Sequence, residues 1–72
     1  MLITNSVELG TLVRQTRRTN GLTQSHLAGL AGTGLRFISE LERGKSNVAL
    51  GKALAVLAVL GLRLHVGASG EA

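Results

Sequence analysis

Apolar and polar residues follow a helical period in the first part of the chain. The positions that share one helical face are Leu9, Leu12, Val13 and Thr16. A spacing of i, i+3, i+4 and i+7 predicts an amphipathic helix. The helix should begin near Asn5 or Ser6, because both are good N-caps and Glu8 stands three residues after Asn5, as in a capping box. Gly21 should end the helix.

Two shorter helices are predicted to follow, joined by a glycine-containing turn. Thr23 is placed to cap the second helix, and the turn at residues 32–34 should break it. The inner stripe of this helix is predicted to consist of Leu27, Leu30 and Ala31. In the third helix, Ile38 and Leu41 are spaced i, i+3 on the apolar side, and Gly44 should end it.

A fourth helix and a short strand complete the predicted elements. Ser46 or Asn47 should cap the helix, and Gly61 should end it. Its inward positions are predicted to be Leu50, Leu54, Leu57 and Leu60. After Gly61 the period changes to two, since apolar residues alternate with Arg63 and His65. The apolar face of this predicted strand consists of Leu62, Leu64 and Val66.

Residues 21–44 contain the pattern that carries the functional prediction. Two short helices joined by a tight turn with glycine are typical of a helix-turn-helix unit, whose second helix enters the major groove of DNA. The outer side of that helix should therefore be free to contact bases. Its residues are Leu35, Arg36, Ser39 and Glu40.

We expect an all-α, compact four-helix domain spanning residues 1–72, ordered over about 5–66 and flexible over 67–72.

The composition predicts a polyanionic binding partner and a small hydrophobic core. The chain has 72 residues, a formal net charge of +4 and a sequence pI of about 11.3. An excess of positive charge is typical of proteins that bind DNA, RNA or anionic membranes. Cysteine, proline, tryptophan and tyrosine are absent, so a second subunit is the obvious additional source of buried area. No signal peptide is visible and the apolar run 53–62 is too short to span a membrane, which favours the cytoplasm.

Other classes of function fit the sequence less well. Four acidic residues, two histidines and no cysteine leave no plausible nucleophile–base pair, so an enzyme is rejected. His26 and His65 have no acidic partners at metal-ligand spacing, and we expect neither a metal nor another cofactor. A membrane-active peptide would need one long amphipathic stripe, whereas glycines divide this chain into short helices.

The sequence resembles the Xre, or phage-repressor-like, helix-turn-helix family. Within that family it is similar to the HipB-type antitoxins, short regulators associated with a HipA-like kinase toxin. The resemblance covers roughly residues 7–66. The segments that carry it are LGTLVRQTRR (9–18), GLTQSHLAGLAG (21–32), FISELERGKS (37–46) and LAVLAVLGLRLHV (54–66). It implies a lambda-repressor-like fold and a transcriptional repressor of its own operon that binds double-stranded DNA. The alternative is a free-standing phage or restriction-modification regulator without a toxin.

The resemblance also implies roles for individual residues. Leu35, Arg36 and Glu40 match positions that face base edges. The positions that match phosphate-contacting residues are Gln24, Arg43 and Lys45. Arg17 and Glu42 match a pair that forms a salt bridge between the first and third helices. Arg18 is a further phosphate candidate from its charge, although such residues are more often simply solvated. Glu40 could accept from a cytosine amine or merely solvate the helix.

Two further expectations concern the DNA contacts and the dimer. The first follows from departures from the family pattern, and the second from the predicted strand. Gly34 stands where the family usually has Ser or Thr, so that position should offer only its backbone N–H. Leu35 cannot hydrogen-bond a base and could only pack against a thymine methyl group. A lone strand has no sheet to join within its chain, and we expect it to pair with the same strand of a second subunit. The expected homodimer interface consists of Leu57, Leu60, Leu62, Leu64 and Val66.

Overall fold

The computed structural model describes residues 2–69, and within that range it is built from four α-helices. They are α1 (Ser6–Thr19), α2 (Gln24–Ala31), α3 (Leu35–Glu42) and α4 (Leu50–Val59). α3 packs against α1 and α2, and α2 also packs against α4. The predicted all-α, four-helix architecture is confirmed. The part of the predicted tail beyond residue 69 lies outside the described residues.

The first two helices begin at the positions predicted from their capping residues. Asn5 Oδ1 accepts a hydrogen bond from the Glu8 backbone N–H at 2.8 Å, and Thr23 Oγ1 accepts from the His26 N–H at 3.0 Å. The reciprocal half of the expected capping box is displaced by one residue, because the Glu8 carboxylate accepts from Thr4 N at 2.7 Å instead. α3 begins after Gly34 without a side-chain cap, as the missing hydroxyl predicts.

Glycines end or follow each helix at the predicted places. Within residues 2–69, the residues with positive φ, between 70° and 85°, are Gly21, Gly32, Gly44 and Gly61. Gly44 is required for a second reason, because a Cβ there would lie 2.7 Å from the Val7 Cα atom. The backbone after α3 can therefore turn against the start of α1 only if this residue has no side chain.

The core lies between all four helices and contains aliphatic residues only. Its buried members are Val13, Leu27, Ala28, Ile38, Leu41, Ala53, Val56, Leu57 and Leu60. α1 and α3 approach most closely at Gly10, where a Cβ atom would clash with the Leu41 carbonyl and lie 2.7 Å from the Glu42 carbonyl oxygen. The glycine at this crossing lets the backbones of α1 and α3 approach closely.

The predicted start of α4 is wrong by several residues. The helix begins at Leu50 after Ala49, with no side-chain cap, and neither Ser46 nor Asn47 caps it. The physical reason is Val48, which packs against the core from the non-helical segment. Burying that side chain keeps the chain extended past the two polar residues that would otherwise have started a helix.

The predicted inward faces of α2 and α4 are also wrong in part. Leu50 is 65% exposed and Leu54 is exposed as well, since the buried face of α4 consists of Ala53, Val56, Leu57 and Leu60. On α2, Leu30 is exposed and Ala28 is buried in its place. α4 is apolar nearly all round, so periodicity alone cannot assign its inner face.

No strand is present within residues 2–69, so the predicted strand is not observed in the single chain. Leu62 packs against the core, whereas Leu64 is 55% and Val66 89% exposed. A strand needs a second strand to bond with, and one copy of this chain supplies none. Leu57 and Leu60, which we expected at a dimer interface, are instead buried in the core of the single subunit.

Candidate nucleic-acid interface

α2, the turn at residues 32–34 and α3 form a rigid two-helix unit. The turn is closed by hydrogen bonds from Thr33 N to the Ala28 carbonyl at 2.9 Å and from Gly32 N to the Gly29 carbonyl at 3.3 Å. Ile38 and Leu41 are buried, which fixes one side of α3 to the body of the domain. The opposite side of α3 is left facing solvent.

The solvent-facing side of α3 carries the four residues predicted to read bases. Arg36 has 90% of its side chain exposed, and Leu35 is also exposed. Ser39 and Glu40 are half-buried. Glu40 Oε2 lies 3.2 Å from Lys45 Nζ and 3.7 Å from Arg36 Nε. The hydrogen bond from Lys45 is the main cause that lowers the pKa of Glu40, so its carboxylate is ionised at neutral pH.

A basic groove runs between α1, the start of α2 and the end of α3. Its volume is about 670 Å³, and three arginines, Arg14, Arg18 and Arg43, line it together with Thr23, Gln24 and Ser25. The first backbone N–H groups of a helix lack partners inside the helix, and the helix dipole is positive there. The start of α2 and the three guanidinium groups therefore combine into a site suited to a phosphate group.

A buried ion pair forms the floor of the basic groove. Arg17 Nε and Nη2 donate to the two Glu42 carboxylate oxygens at 2.6 and 3.0 Å, and only 10% and 3% of the respective side chains are exposed. Arg17 Nη1 also donates to the Leu22 carbonyl at 2.8 Å. The predicted salt bridge between the first and third helices is thus present as a bidentate contact, and it joins α1 to α3.

Glu42 is ionised although it is buried. Burial alone raises the pKa of Glu42, but hydrogen bonds from Arg17 and Gln24 act in the opposite direction. The charges of Arg17 and Arg14 lower the pKa further, so that it lies below its ordinary value. The hydrogen bond with Glu42 likewise raises the pKa of Arg17. Both members of the pair therefore carry their charges at neutral pH.

The structure separates the predicted phosphate-contacting residues into two places. Arg18, Arg43 and Gln24 line the basic groove, whereas Lys45 lies beside Glu40. Gln24 Nε2 donates to Glu42 Oε1 at 3.0 Å, so one of its two amide protons has a partner in the protein. Sequence reasoning missed Arg14. Its i, i+4 spacing from Arg18 is the signal that could have placed both on the same side of α1.

The aromatic residue of α3 and the two histidines for which no metal role is expected lie outside the basic groove. Phe37 packs against the core, with Lys52 Nζ 5.8 Å from its ring centroid, and His26 and His65 are exposed. Among residues 2–69, no three His, Cys, Asp or Glu side chains gather closely enough to hold a metal ion. In the same range, no helix is long and apolar enough to span a membrane.

These features define the class of the protein. A four-helix domain in which α2 and α3 form the two-helix unit, with a solvent-facing α3 beside a basic groove, is a helix-turn-helix protein. Residues 8–67 match the family described as the helix-turn-helix domain, and the chain belongs to that family.

Individual relatives agree with this assignment. The protein y4mF of Sinorhizobium fredii, described as an uncharacterized HTH-type transcriptional regulator, is 46% identical over 69 residues, which cover 96% of this chain and 91% of that protein. Among solved structures, the fold is similar to a chain of the HipA–HipB–O2–O3 complex, with a TM-score of 0.86 and 28% identity over 96% of this chain and 97% of that one. A complex of a HipB variant with an O2 20-mer matches with a TM-score of 0.85 and 26% identity over 96% of both chains.

Proposed function

We propose that the protein is a sequence-specific transcriptional repressor that binds an inverted-repeat operator in double-stranded DNA as a homodimer. The observation that carries this proposal is the position of the exposed side of α3 next to the basic groove. Proteins that place a helix in the major groove also bind the flanking phosphates, and those contacts fix the position of the helix on the duplex. The chain supplies both surfaces, because α3 presents its exposed side while α1, α2 and α3 together line the basic groove.

Base reading is assigned to the exposed side of α3. Arg36 has a long, exposed side chain with the fork geometry that pairs with O6 and N7 of guanine. Leu35 offers an apolar contact for a thymine methyl group, and Ser39 can hydrogen-bond more than one base. Glu40 has an oxygen that can accept from the cytosine N4 amine. Together these four residues would read a short half-site.

Phosphate binding is assigned to the basic groove and to Lys45. Arg18, Arg43 and the start of α2 would bind the phosphates of one DNA strand. Arg14 is assigned to the same group because it lines the same groove. The second amide proton of Gln24 can reach a phosphate while the first stays on Glu42. Lys45 would contact the backbone at the far end of α3. These contacts position α3 without reading sequence.

A second copy of the chain would cover the remaining apolar surface. Leu64 and Val66 are exposed apolar residues. Leu50 and Leu54, on the exposed side of α4, are two more. Residues 62–66 pairing antiparallel with their copy would satisfy both backbones and give a closed, isologous dimer. Such a dimer places two α3 helices about 34–36 Å apart, in successive major grooves.

The DNA contacts can be tested with two arginine variants that remove the same charge. Duplexes are first selected from a random library with the wild-type protein. Arg36→Ala should then lose about 1–3 kcal/mol on the selected operator and relax the preference at one base per half-site. Arg14→Ala should weaken binding to operator and scrambled DNA alike and lower the salt slope by about one unit. Equal effects of Arg36→Ala on both DNAs would make Arg36 a phosphate contact only.

The dimer can be tested with Leu64→Asp and a matched control. A charge in the middle of the 62–66 segment should give monomers in sedimentation and a much larger loss on the full operator than on a half-site. Leu2→Asp makes the same change at a leucine that is still more exposed, 87% against 55% for Leu64, and that lies beside α1; this variant should remain dimeric. A Leu64→Asp variant that stays dimeric at micromolar concentration would place the interface elsewhere.

We further propose that the protein is the antitoxin of a HipA-like kinase and represses its own operon. The resemblance in fold to HipB in a complex with HipA supports this role. A kinase gene beside the gene for this chain, and restored growth when both are co-expressed, are the expected results. No adjoining kinase gene would favour the second candidate, a free-standing phage or restriction-modification regulator.

A further inference from the structure

Glu40 brings a negative charge to the surface that is proposed to meet DNA. Its Oε2 atom is shared by Lys45 Nζ at 3.2 Å and Arg36 Nε at 3.7 Å. These two cations are otherwise among the best placed groups for contacting DNA from the α3 side. The carboxylate therefore serves as a counter-ion to both of them before any DNA is bound.

The other carboxylates in residues 2–69 are accounted for by the fold. Glu42 is buried and bonded to Arg17, and Glu8 accepts hydrogen bonds from Thr4 at the start of α1. Glu40 has no such role within a helix cap or the core. Its position on the DNA-facing side of α3 thus calls for a functional explanation.

We propose that Glu40 is a specificity-determining residue that suppresses binding to DNA without the operator sequence; this inference rests on the proposed function. A phosphate that approaches Lys45 or Arg36 must displace the carboxylate or lie close to it, and like charges repel. Non-specific binding consists almost entirely of such phosphate contacts. Glu40 therefore weakens the complex with random DNA more than a neutral residue would.

The operator can offset this repulsion, whereas random DNA cannot. Both cation contacts use Oε2, and a carboxylate has a second oxygen that can accept from the N4 amine of a cytosine. Arg36 can leave Glu40 when a guanine offers it two acceptors. With the right bases in place, the carboxylate and both cations all find partners. With the wrong bases, Glu40 faces DNA as an unmatched negative charge.

The experiment compares Glu40→Gln with Glu8→Gln, which makes the same change in net charge away from α3. Binding to the selected operator and to a scrambled duplex of equal length and composition is measured by fluorescence anisotropy over a series of salt concentrations. Urea unfolding checks that both variants are folded. The Glu40→Gln variant should bind scrambled DNA about threefold to tenfold more tightly at low salt, with a salt slope steeper by about one unit, because Lys45 no longer has Glu40 as its counter-ion and can neutralise a phosphate fully. Its ratio of operator to scrambled affinity should fall, and Glu8→Gln should leave the ratio unchanged.

A double variant locates the effect. In a Lys45→Ala background, Glu40→Gln should no longer steepen the salt slope, because the released cation is absent. An unchanged slope for Glu40→Gln alone, or changes that match those of Glu8→Gln, would overturn the inference. A loss of operator affinity with scrambled DNA unaffected would also overturn it and leave Glu40 as a base reader only. A wild-type protein that prefers no duplex over scrambled DNA would refute the proposed function itself, before any Glu40 variant is compared.

Discussion

Replacing Glu42 by alanine is expected to destabilise the protein severely. In the folded chain the Glu42 carboxylate binds Arg17 through two hydrogen bonds and also accepts from Gln24. The Glu42→Ala change removes all three. Arg17 then keeps the Leu22 carbonyl as its partner, while its guanidinium stays buried beneath the basic groove. A buried charge without its counter-ion is the main cost of the substitution.

The magnitude follows from the burial and geometry of the pair. Removing one partner of a buried ion pair costs about 3–5 kcal/mol, whereas an exposed pair contributes under about 1 kcal/mol. With side-chain exposures of 10% and 3%, the Arg17–Glu42 pair belongs to the first case. The total stability expected for a chain of this size is roughly 4–11 kcal/mol. Glu42→Ala should therefore remove a large share of it.

Urea unfolding followed by circular dichroism measures this loss. With a slope of about 1 kcal/mol per molar urea for so small a domain, the midpoint should fall by about 3 M or the variant should be unfolded without urea. The double variant Arg17→Met/Glu42→Leu replaces both charges with apolar side chains of similar length and should recover most of the stability. Glu8→Ala removes an exposed carboxylate that accepts two hydrogen bonds from Thr4 at the start of α1; as the control it should cost about 0.5–2 kcal/mol, clearly less than Glu42→Ala.

The pair also gives the protein a predictable sensitivity to acid. Because the pKa of Glu42 is lower in the folded protein, its contribution is complete above the unfolded value of about 4.3 and is lost as the pH falls through the folded pKa. Glu42→Gln should reduce the difference in urea midpoint between neutral and acidic pH. A Glu42→Ala variant as stable as the wild type, with an unchanged acid profile, would refute the reasoning.

Three other substitutions test the packing by urea or thermal unfolding. Gly10→Ala should cost about 1–3 kcal/mol or more, because its Cβ would press on backbone carbonyls of α3. Gly29→Ala, in open space on α2, should instead stabilise by about 0.5–1 kcal/mol; the same sign for both would contradict the close helix crossing. Thr33→Val should raise the melting temperature, since the Thr33 hydroxyl is buried without a hydrogen bond in the described structure and losing it costs nothing. A lower melting temperature would indicate a partner for that hydroxyl.

Helix ends were predictable from the sequence where a local residue type sets the backbone. Asn5 and Thr23 cap their helices through their own side chains, and the glycines after the helices adopt left-handed backbone conformations. These interactions involve residues three or four positions apart, so their signals are visible in a short window. The start of α4 was not predictable, because Val48 is drawn into a core made by distant residues.

Helix faces and site residues were likewise predictable where local residues determine them and not where distant residues do. The amphipathic pattern of α3 places Ile38 and Leu41 inside and Arg36 outside, as predicted. The nearly all-apolar α4 gives no such contrast, and the position of its buried face depends on α2, against which it packs. Arg14 was missed because its role comes from a groove formed by three helices. The contact of Glu40 with Lys45 likewise depends on the turn at Gly44.

The location of charge explains how a chain with a net charge of only +4 can present a strongly basic surface. The negative charge of Glu42 is paired with the positive charge of Arg17. Because Arg17 is buried, this pairing removes little of the positive charge at the surface. Arg14, Arg18 and Arg43 line the groove above it, and none of them is in an ion pair within residues 2–69. The same buried pair that fixes α1 to α3 thus holds the groove arginines at a set distance from the exposed side of α3. Removing one partner of this pair should therefore reduce folding stability and also loosen the spacing between phosphate-binding and base-reading groups, whereas the Arg17→Met/Glu42→Leu variant tests whether apolar packing alone can keep that spacing.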